Sequence, residues 1–139
     1  MSHAPQPPDD YWTKTTSADG AYVWIVKAWE ARMSLWVMAG ALHQTSPSTL
    51  LFEPPEDWSF EERAWTSKDE LRLVGRRYPG GLPGIVLTLD VPGRRGMIAL
   101  HEPYAQSEKA KAPTPPSGSQ PFDLLLHWLE AYGPIESSA

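Results

Sequence analysis

The residues of this chain that could do chemistry are four histidines and many carboxylates, and there is no cysteine. No two of the histidines, His3, His43, His101 and His127, have the spacing that would place them together on one strand or one helix face. His101 and Glu102 are neighbours on a predicted strand, so their side chains would point to opposite faces. We therefore expect structural or solvated histidines, with no metal site and no cofactor.

Catalytic motifs are also missing from the sequence. It contains no Gly-x-Ser-x-Gly elbow, no Walker loop and no Gly-x-Gly-x-x-Gly, and the glycine-rich segment 80–84 is typical of a turn. The adjacent carboxylate pairs Glu61–Glu62 and Asp69–Glu70 are most simply solvated. One hypothesis is a hydrolase whose site is assembled from His101, His43 and distant acidic residues. No sequence motif supports it. The absence of motifs favours a protein that is not an enzyme.

Charge and composition exclude several classes of protein. The net charge of −5 disfavours a nucleic-acid-binding protein, which would normally be basic. The meander described below would separate the arginines into two clusters at opposite ends of a sheet, Arg76 and Arg77 at one end and Arg94 and Arg95 at the other, with Arg72 nearest the second. No secretory signal and no apolar run of membrane-spanning length is present. These observations predict a cytoplasmic protein that binds neither nucleic acid nor membrane.

The elements that would position these side chains are mostly β-strands. In the segment Ile85–Val91, apolar residues alternate with Val86, Thr88 and Asp90, which is the pattern of a strand with one face in a core. Segments 70–78, 85–91 and 96–102 form a predicted antiparallel meander. A loop of even length after Val91 would place Ile98 and Leu100 on the face of the other large aliphatic side chains, and we expect four residues at 92–95.

Upstream of the meander the pattern is less uniform. Residues 21–28 are rich in β-forming residues and are predicted to form a strand. A short strand is predicted at residues 49–53. Residues 29–42 fit either a helix or a strand, and we favour a hairpin that turns near 30–32. Ser59 and Glu62 have the spacing of a capping box, which would start a short helix through Trp65, while residues 63–71 could equally form a hairpin.

The C-terminal part of the chain is organised differently. Residues 105–120 are rich in Pro, Ala and Ser and predict a tether to a helix at 121–133, with Pro121 as its first residue and Ser119 or Gln120 as its cap. Residues 1–10 are expected to be disordered, and 11–104 to form the β domain. The predicted fold is mainly β, an antiparallel β-sandwich or incomplete barrel with one C-terminal α-helix.

The predicted helix carries more apolar surface than one sheet face would cover. On a helical wheel, Asp123, His127 and Glu130 cluster within about 60°, and apolar residues fill most of the remainder. The helix either lies in a groove of its own domain or is covered by a second surface from another protein or a second copy.

Two functions are preferred to the hydrolase hypothesis. The first is a non-enzymatic protein-interaction module (an adaptor, a chaperone-like protein or an inhibitor subunit), with a protein partner or a homodimer bound through the helix residues Phe122, Leu125, Trp128, Leu129 and Tyr132. The alternative uses the unusual content of seven tryptophans. In that alternative, Trp24, Trp29 and Trp36 line a barrel pocket for a small apolar or aromatic ligand. The tryptophans could also simply fill the core.

Overall fold

The computed structural model describes residues 14–32, 35–78, 83–101 and 114–132. Within them the chain forms two antiparallel sheets and one helix, which confirms the predicted mainly β fold with a C-terminal helix. The strands are β1 (Lys14–Thr16), β2 (Tyr22–Arg32), β3 (Leu35–Thr45), β4 (Ser48–Phe52), β5 (Trp58–Trp65), β6 (Glu70–Arg77), β7 (Ile85–Asp90), β8 (Arg95–Leu100) and β9 (Gln120–Pro121), and the helix is α1 (Phe122–Ala131).

The first sheet has the strand order β1-β2-β3-β4, and the second has the order β5-β6-β7-β8-β9. The two sheets are not closed into a barrel. They approach each other where β5 passes the edge of β3, and there the backbone N–H of Met38 donates to Ser59 Oγ at 2.9 Å. At its other end β5 reaches β1, because Trp65 Nε1 donates to the carbonyl oxygen of Thr15 at 3.1 Å.

The core lies between the two sheets and is formed by alternate residues of each strand. In the second sheet, Leu71 and Leu73 of β6 and Ile85, Leu87 and Leu89 of β7 are fully buried. The first sheet contributes Trp24, Val26, Met38 and Leu42. Alternation with a period of two determines which residues face inward, because successive side chains of a strand point to opposite faces.

The predicted meander is confirmed, including its register. Strands β6, β7 and β8 are consecutive and antiparallel, with Leu87 opposite Ile98 and Ile85 opposite Leu100. The connecting loop has four residues, as expected, but it occupies 91–94 because Asp90 already pairs with Arg95. Arg94 adopts a φ of 55° in this loop.

Two ambiguous segments are decided by the structure. Residues 29–42 belong to strands β2 and β3, which pair as an antiparallel hairpin, as favoured. The turn does not lie near residues 30–32 as expected, because β2 continues through Arg32, which pairs with Leu35; residues 33 and 34 lie outside the described part. The short helix after Ser59 was a wrong alternative, because residues 58–65 are strand β5 and pair with β6 in a hairpin. The capping-box spacing is overridden there by inward burial of Trp58 and Phe60.

Some predictions fall on residues that the structure does not describe. They are the predictions of disorder at 1–10, of a tether over 105–113 and of a helix that extends to residue 133. The described part of the tether, 114–120, contacts the folded domain. Arg95 donates to Ser119 through Nε and Nη2, and Trp128 Nε1 donates to the carbonyl oxygen of Thr114 at 3.2 Å.

Candidate functional site

Helix α1 is fixed to the domain by apolar side chains on one of its faces. Phe122, Leu125 and Leu129 are buried, and so is Tyr132, which directly follows the helix. The ring of Phe122 packs against Phe52 of the first sheet at 4.9 Å between centroids. Tyr132 stacks on Trp58 at 5.3 Å. The helix therefore lies in a groove of its own domain, which is one of the two arrangements that its apolar surface suggested.

The phenol of Tyr132 adds a polar contact at the end of this groove. Its hydroxyl donates to the carbonyl oxygen of Pro83 at 2.6 Å. Burial raises the pKa of Tyr132 to about 12, because the phenolate would be poorly solvated there. The neutral hydroxyl is thus a fixed donor at ordinary pH.

The C-terminal end of α1 is held by Arg77, a residue of β6. Its Nη1 lies 2.9 Å from the carbonyl oxygen of Leu129, 2.7 Å from that of Glu130 and 2.9 Å from that of Tyr132. Trp58 Nε1 donates to the same Leu129 oxygen at 3.0 Å. The last carbonyls of a helix lack partners within the helix and carry partial negative charge, so a guanidinium placed there satisfies and neutralises them.

This arrangement is itself supported by an ion pair. Arg77 Nε donates to Asp57 Oδ2 at 2.8 Å, so the segment before β5 orients the guanidinium toward the helix end. The sequence placed Arg77 only near a turn and did not identify this role. The sequence showed only that the last turn of the helix contains no basic residue of its own, which leaves its terminal carbonyls to water or to partners from other segments.

The N-terminal end of α1 departs from the prediction. Pro121 pairs with Arg95 in β9 and is the residue before the helix, so α1 begins at Phe122. No side chain caps this end, although Ser119 or Gln120 was expected to do so. Instead, the backbone N–H of Phe122 donates to the carbonyl oxygen of Arg94 at 3.0 Å, and Asp123 supplies negative charge in the first turn.

An open cleft lies between the outward side of α1 and the connection from β4 to β5. Its volume is about 570 Å³, and its lining residues are Glu53, Pro54, Pro55, Glu56, Asp123, Leu126, His127 and Glu130. The lining includes Asp123, His127 and Glu130, which are the polar residues that the helical wheel places on one side of the helix. Glu53 pairs with Lys27 Nζ at 2.6 Å. In the described part of the chain, Glu56, Asp123 and Glu130 make no ion pair.

The cleft is therefore acidic, and two features give it a defined shape. Pro54 and Pro55 have fixed φ angles and form one wall. The same connection is anchored to the first sheet, because Trp29 Nε1 donates to the carbonyl oxygen of Glu56 at 2.8 Å. Carboxylates gathered around one concave surface create a negative potential that attracts cations.

The five helix residues predicted to bind a partner are mostly turned inward. Phe122, Leu125, Leu129 and Tyr132 are buried in the domain, and Trp128 is half-buried against Tyr132, with ring centroids 4.6 Å apart. The large apolar side chain that the helix does expose is Leu124, at 52%. Partner binding through the five residues stays a prediction; the surface that α1 presents consists of Asp123, Leu124, His127, Glu130 and Ala131.

The three tryptophans of the alternative hypothesis do not share one face. Trp24 is fully buried, and its ring meets the ring of Phe60 edge-on at 5.6 Å. Trp36 lies opposite Glu30, which puts it on the same face of the sheet as Trp24, whereas Trp29 lies on the other face. Neither the acidic cleft nor the smaller pocket described next is lined by a tryptophan. Ligand binding by these residues stays a prediction.

The remaining candidates for chemistry lie apart from one another. His43 belongs to the first sheet, and His101 follows β8 of the second. His101 lines a pocket of about 90 Å³ with Glu61, Glu62, Val74, Gly75 and Arg76. Within the described residues, no group of three or more histidine or acidic side chains is arranged to hold a metal ion.

Comparisons with known proteins found no match among protein-family models, curated proteins or solved structures. Among the described residues, no helix combines the length and apolar character needed to cross a membrane.

Proposed function

We propose that this protein is a non-enzymatic protein-interaction module, and that its acidic cleft binds a positively charged segment of a partner protein. The observation that carries the proposal is the set of carboxylates around the cleft of about 570 Å³, Glu56, Asp123 and Glu130, which form no ion pair with any described residue. Complementary charge steers association and selects partners, so an acidic concave surface favours a segment rich in Lys or Arg.

The form of the cleft suits a peptide segment. Its wall contains two prolines with fixed φ angles, and its helix is anchored to the domain through Phe122, Leu125 and Leu129. A surface that is ordered before binding loses less entropy on binding. Leu126 offers half-buried apolar surface within the cleft. Leu124, on the outward side of the same helix, could contact an apolar residue of the partner next to its cationic ones.

The same charges argue against self-association through this face. A second copy would bring an identical set of carboxylates against the first, and like charges close together repel. The prediction of partner binding through the helix is therefore retained for a different protein partner and not for a homodimer through α1.

The test is a binding titration with a fluorescein-labelled hexa-arginine peptide, followed by fluorescence anisotropy. The wild-type chain should bind, and the double variant Asp123→Asn/Glu130→Gln should bind about threefold to tenfold more weakly, because each exposed charge pair contributes up to about 1 kcal/mol. Binding should also weaken as salt is raised, because the screening length falls from about 10 Å at 0.1 M to about 3 Å at 1 M.

The matched control is the double variant Glu61→Gln/Glu62→Gln, which removes the same charge from exposed positions on β5. It should leave the affinity near that of wild type. If both double variants weaken binding equally, only the net charge matters and the cleft is not a site. If neither variant changes the affinity, the proposal fails.

A further inference from the structure

Strand β4 is the outer strand of the first sheet, and no described residue pairs with its outer edge. Among the described residues it pairs only with β3, on its inner side. Its first three residues, Ser48, Thr49 and Leu50, are exposed, and Leu50 exposes 51% of its surface. The strand Ser48–Phe52 contains neither a charged residue nor a proline. An edge with these properties is a template for pairing with another strand.

The other three terminal strands of the two sheets carry features that hinder such pairing. Strand β1 has three residues, begins with Lys14 and uses the carbonyl oxygen of Thr15 to accept from Trp65. Strand β9 has two residues, of which Pro121 has no N–H to donate. Strand β5 runs against β3, where Ser59 accepts from Met38. Natural sheets block their edges with short strands, lysines, prolines and bulges. Strand β4 has neither lysine nor proline; its pairing with β3 is irregular only between Leu50 and Phe52, so Ser48–Leu50 form its regular edge.

We infer that the β4 edge is a homodimer interface, at which β4 of one copy pairs antiparallel with β4 of a second copy about a two-fold axis. An edge strand presents alternating donors and acceptors, and an antiparallel copy of the same edge presents the complementary order, so the pairing is complementary to itself. Centring the five residues places Leu50 beside Leu50 of the second copy. The two four-stranded sheets would become one continuous sheet.

Charge supports a second copy as the occupant. The chain carries a net charge of −5, so a contact between two copies is favoured where charge is locally absent. The uncharged β4 edge meets that requirement, whereas the acidic cleft beside α1 does not. The inference does not depend on the cleft's function, because it uses different residues.

The first measurement is the mass of the full chain by light scattering over a concentration range from about 1 µM to about 200 µM. We expect the mass to rise from the 15.5 kDa of one chain toward twice that value. The variant Leu50→Lys should stay near the mass of one chain over the same range, because two lysines directly opposite each other repel across the axis. The exposure of Leu50 makes the substitution compatible with the folded monomer.

The decisive measurement mixes two variants of opposite charge. Leu50→Lys and Leu50→Glu should each be monomeric alone, whereas an equimolar mixture should form heterodimers, because opposite charges then face each other. Formation of dimer only in the mixture requires the two copies of residue 50 to be neighbours. It also excludes the possibility that either variant is merely misfolded.

The matched control is Leu124→Lys, which places the same charge at a leucine of nearly equal exposure on α1. It should dimerise as wild type does. A wild-type chain that stays monomeric to the highest concentration overturns the inference. So does a dimer that survives Leu50→Lys but is lost in Leu124→Lys, which would place self-association on the helix. The absence of heterodimer from the mixture of the Leu50→Lys and Leu50→Glu variants would contradict the proposed axis.

Discussion

Arg77 Nη1 lies 2.9 Å from the carbonyl oxygen of Leu129, a residue 52 positions further along the chain. This contact joins a strand of the second sheet to the end of the C-terminal helix. The same nitrogen also serves the carbonyls of Glu130 and Tyr132, while Nε is held by Asp57. One partly buried side chain thus links three segments, and the outward surface of α1 depends on it for its position.

Replacement of Arg77 should therefore be costly. Arg77→Ala leaves the carbonyls of Leu129, Glu130 and Tyr132 and the Asp57 carboxylate without this partner, and we expect the free energy of unfolding to fall by about 2 to 4 kcal/mol. Urea denaturation followed by tryptophan fluorescence measures the change. Arg76→Ala, at an exposed neighbouring position, serves as the control and should cost less. Equal losses in the two variants would contradict the proposed role of the guanidinium.

The hydroxyl of Tyr132 should make stability depend on pH in the alkaline range. Its folded pKa of about 12 lies above the ordinary tyrosine value of 10.0, so the folded state binds the proton more tightly. The resulting stabilisation is fully present below pH 10 and is lost as the pH rises toward 12. The variant Tyr132→Phe lacks this component and should lose less stability over that window.

The measurement is urea denaturation of both proteins at several values of pH. At neutral pH, Tyr132→Phe should also be less stable by about 1 kcal/mol, because the hydrogen bond to Pro83 is lost. Parallel stability curves from about pH 9 to about pH 12 would contradict the assignment of a raised pKa to this residue.

Gly75 should tolerate no side chain, because β5 passes very close to it. A Cβ at this position would clash with the backbone carbonyl oxygen of Ser59, which cannot move without disturbing the β5–β6 pairing. We expect Gly75→Ala to destabilise the fold by about 3 kcal/mol or more.

Gly20→Ala is the matched comparison for that substitution. Gly20 has a φ of +75° and no heavy atom within 4 Å of the added Cβ, so its cost should be only the strain of a left-handed conformation, about 1 kcal/mol. Thermal unfolding of both variants separates the two effects. A smaller loss at Gly75 than at Gly20 would show that the close approach to Ser59 relaxes easily.

Removal of α1 should expose part of the core. In a chain that ends at Gln120, Phe52 and Trp58 lose the rings of Phe122 and Tyr132 that pack on them. We expect this chain to bind the dye ANS and to lose a sharp unfolding transition, which are properties of a loosely packed core. A chain that ends at Tyr132 keeps α1 and should unfold cooperatively. A cooperative transition in the shorter chain would show that the helix is dispensable for the core.

The strands of the meander could be predicted from the sequence because their signal is local. Ile85, Leu87 and Leu89 alternate with Val86, Thr88 and Asp90, and a slip of one position would turn the three larger aliphatic residues away from the core, so both face and register follow from the pattern. The hairpin of β5 and β6 was not decided in this way. There the Ser59–Glu62 spacing also fitted the start of a short helix. Burial of Trp58 and Phe60 against residues far away in the sequence favoured the strand instead.

The cleft could be predicted only in part. The cluster of Asp123, His127 and Glu130 follows from helical periodicity, which the sequence contains. The opposing wall at Glu53–Glu56 could not be predicted in this way. It lies about seventy residues before the helix in the sequence, and helical periodicity relates only residues within one helix. The sequence also could not distinguish which apolar helix residues pack inward and which stay exposed, as Phe122 and Leu124 illustrate.

The sequence by itself thus determined the fold class, the core-facing residues of the meander and the existence of the C-terminal helix, because each depends on spacing within one segment. Only the tertiary structure decided where that helix lies, that Arg77 closes its end, that acidic residues from two segments form one cleft, and that β3 is the one described strand that pairs with β4. These features depend on contacts between segments far apart in sequence, where the side chains that meet are selected by packing rather than by any local pattern.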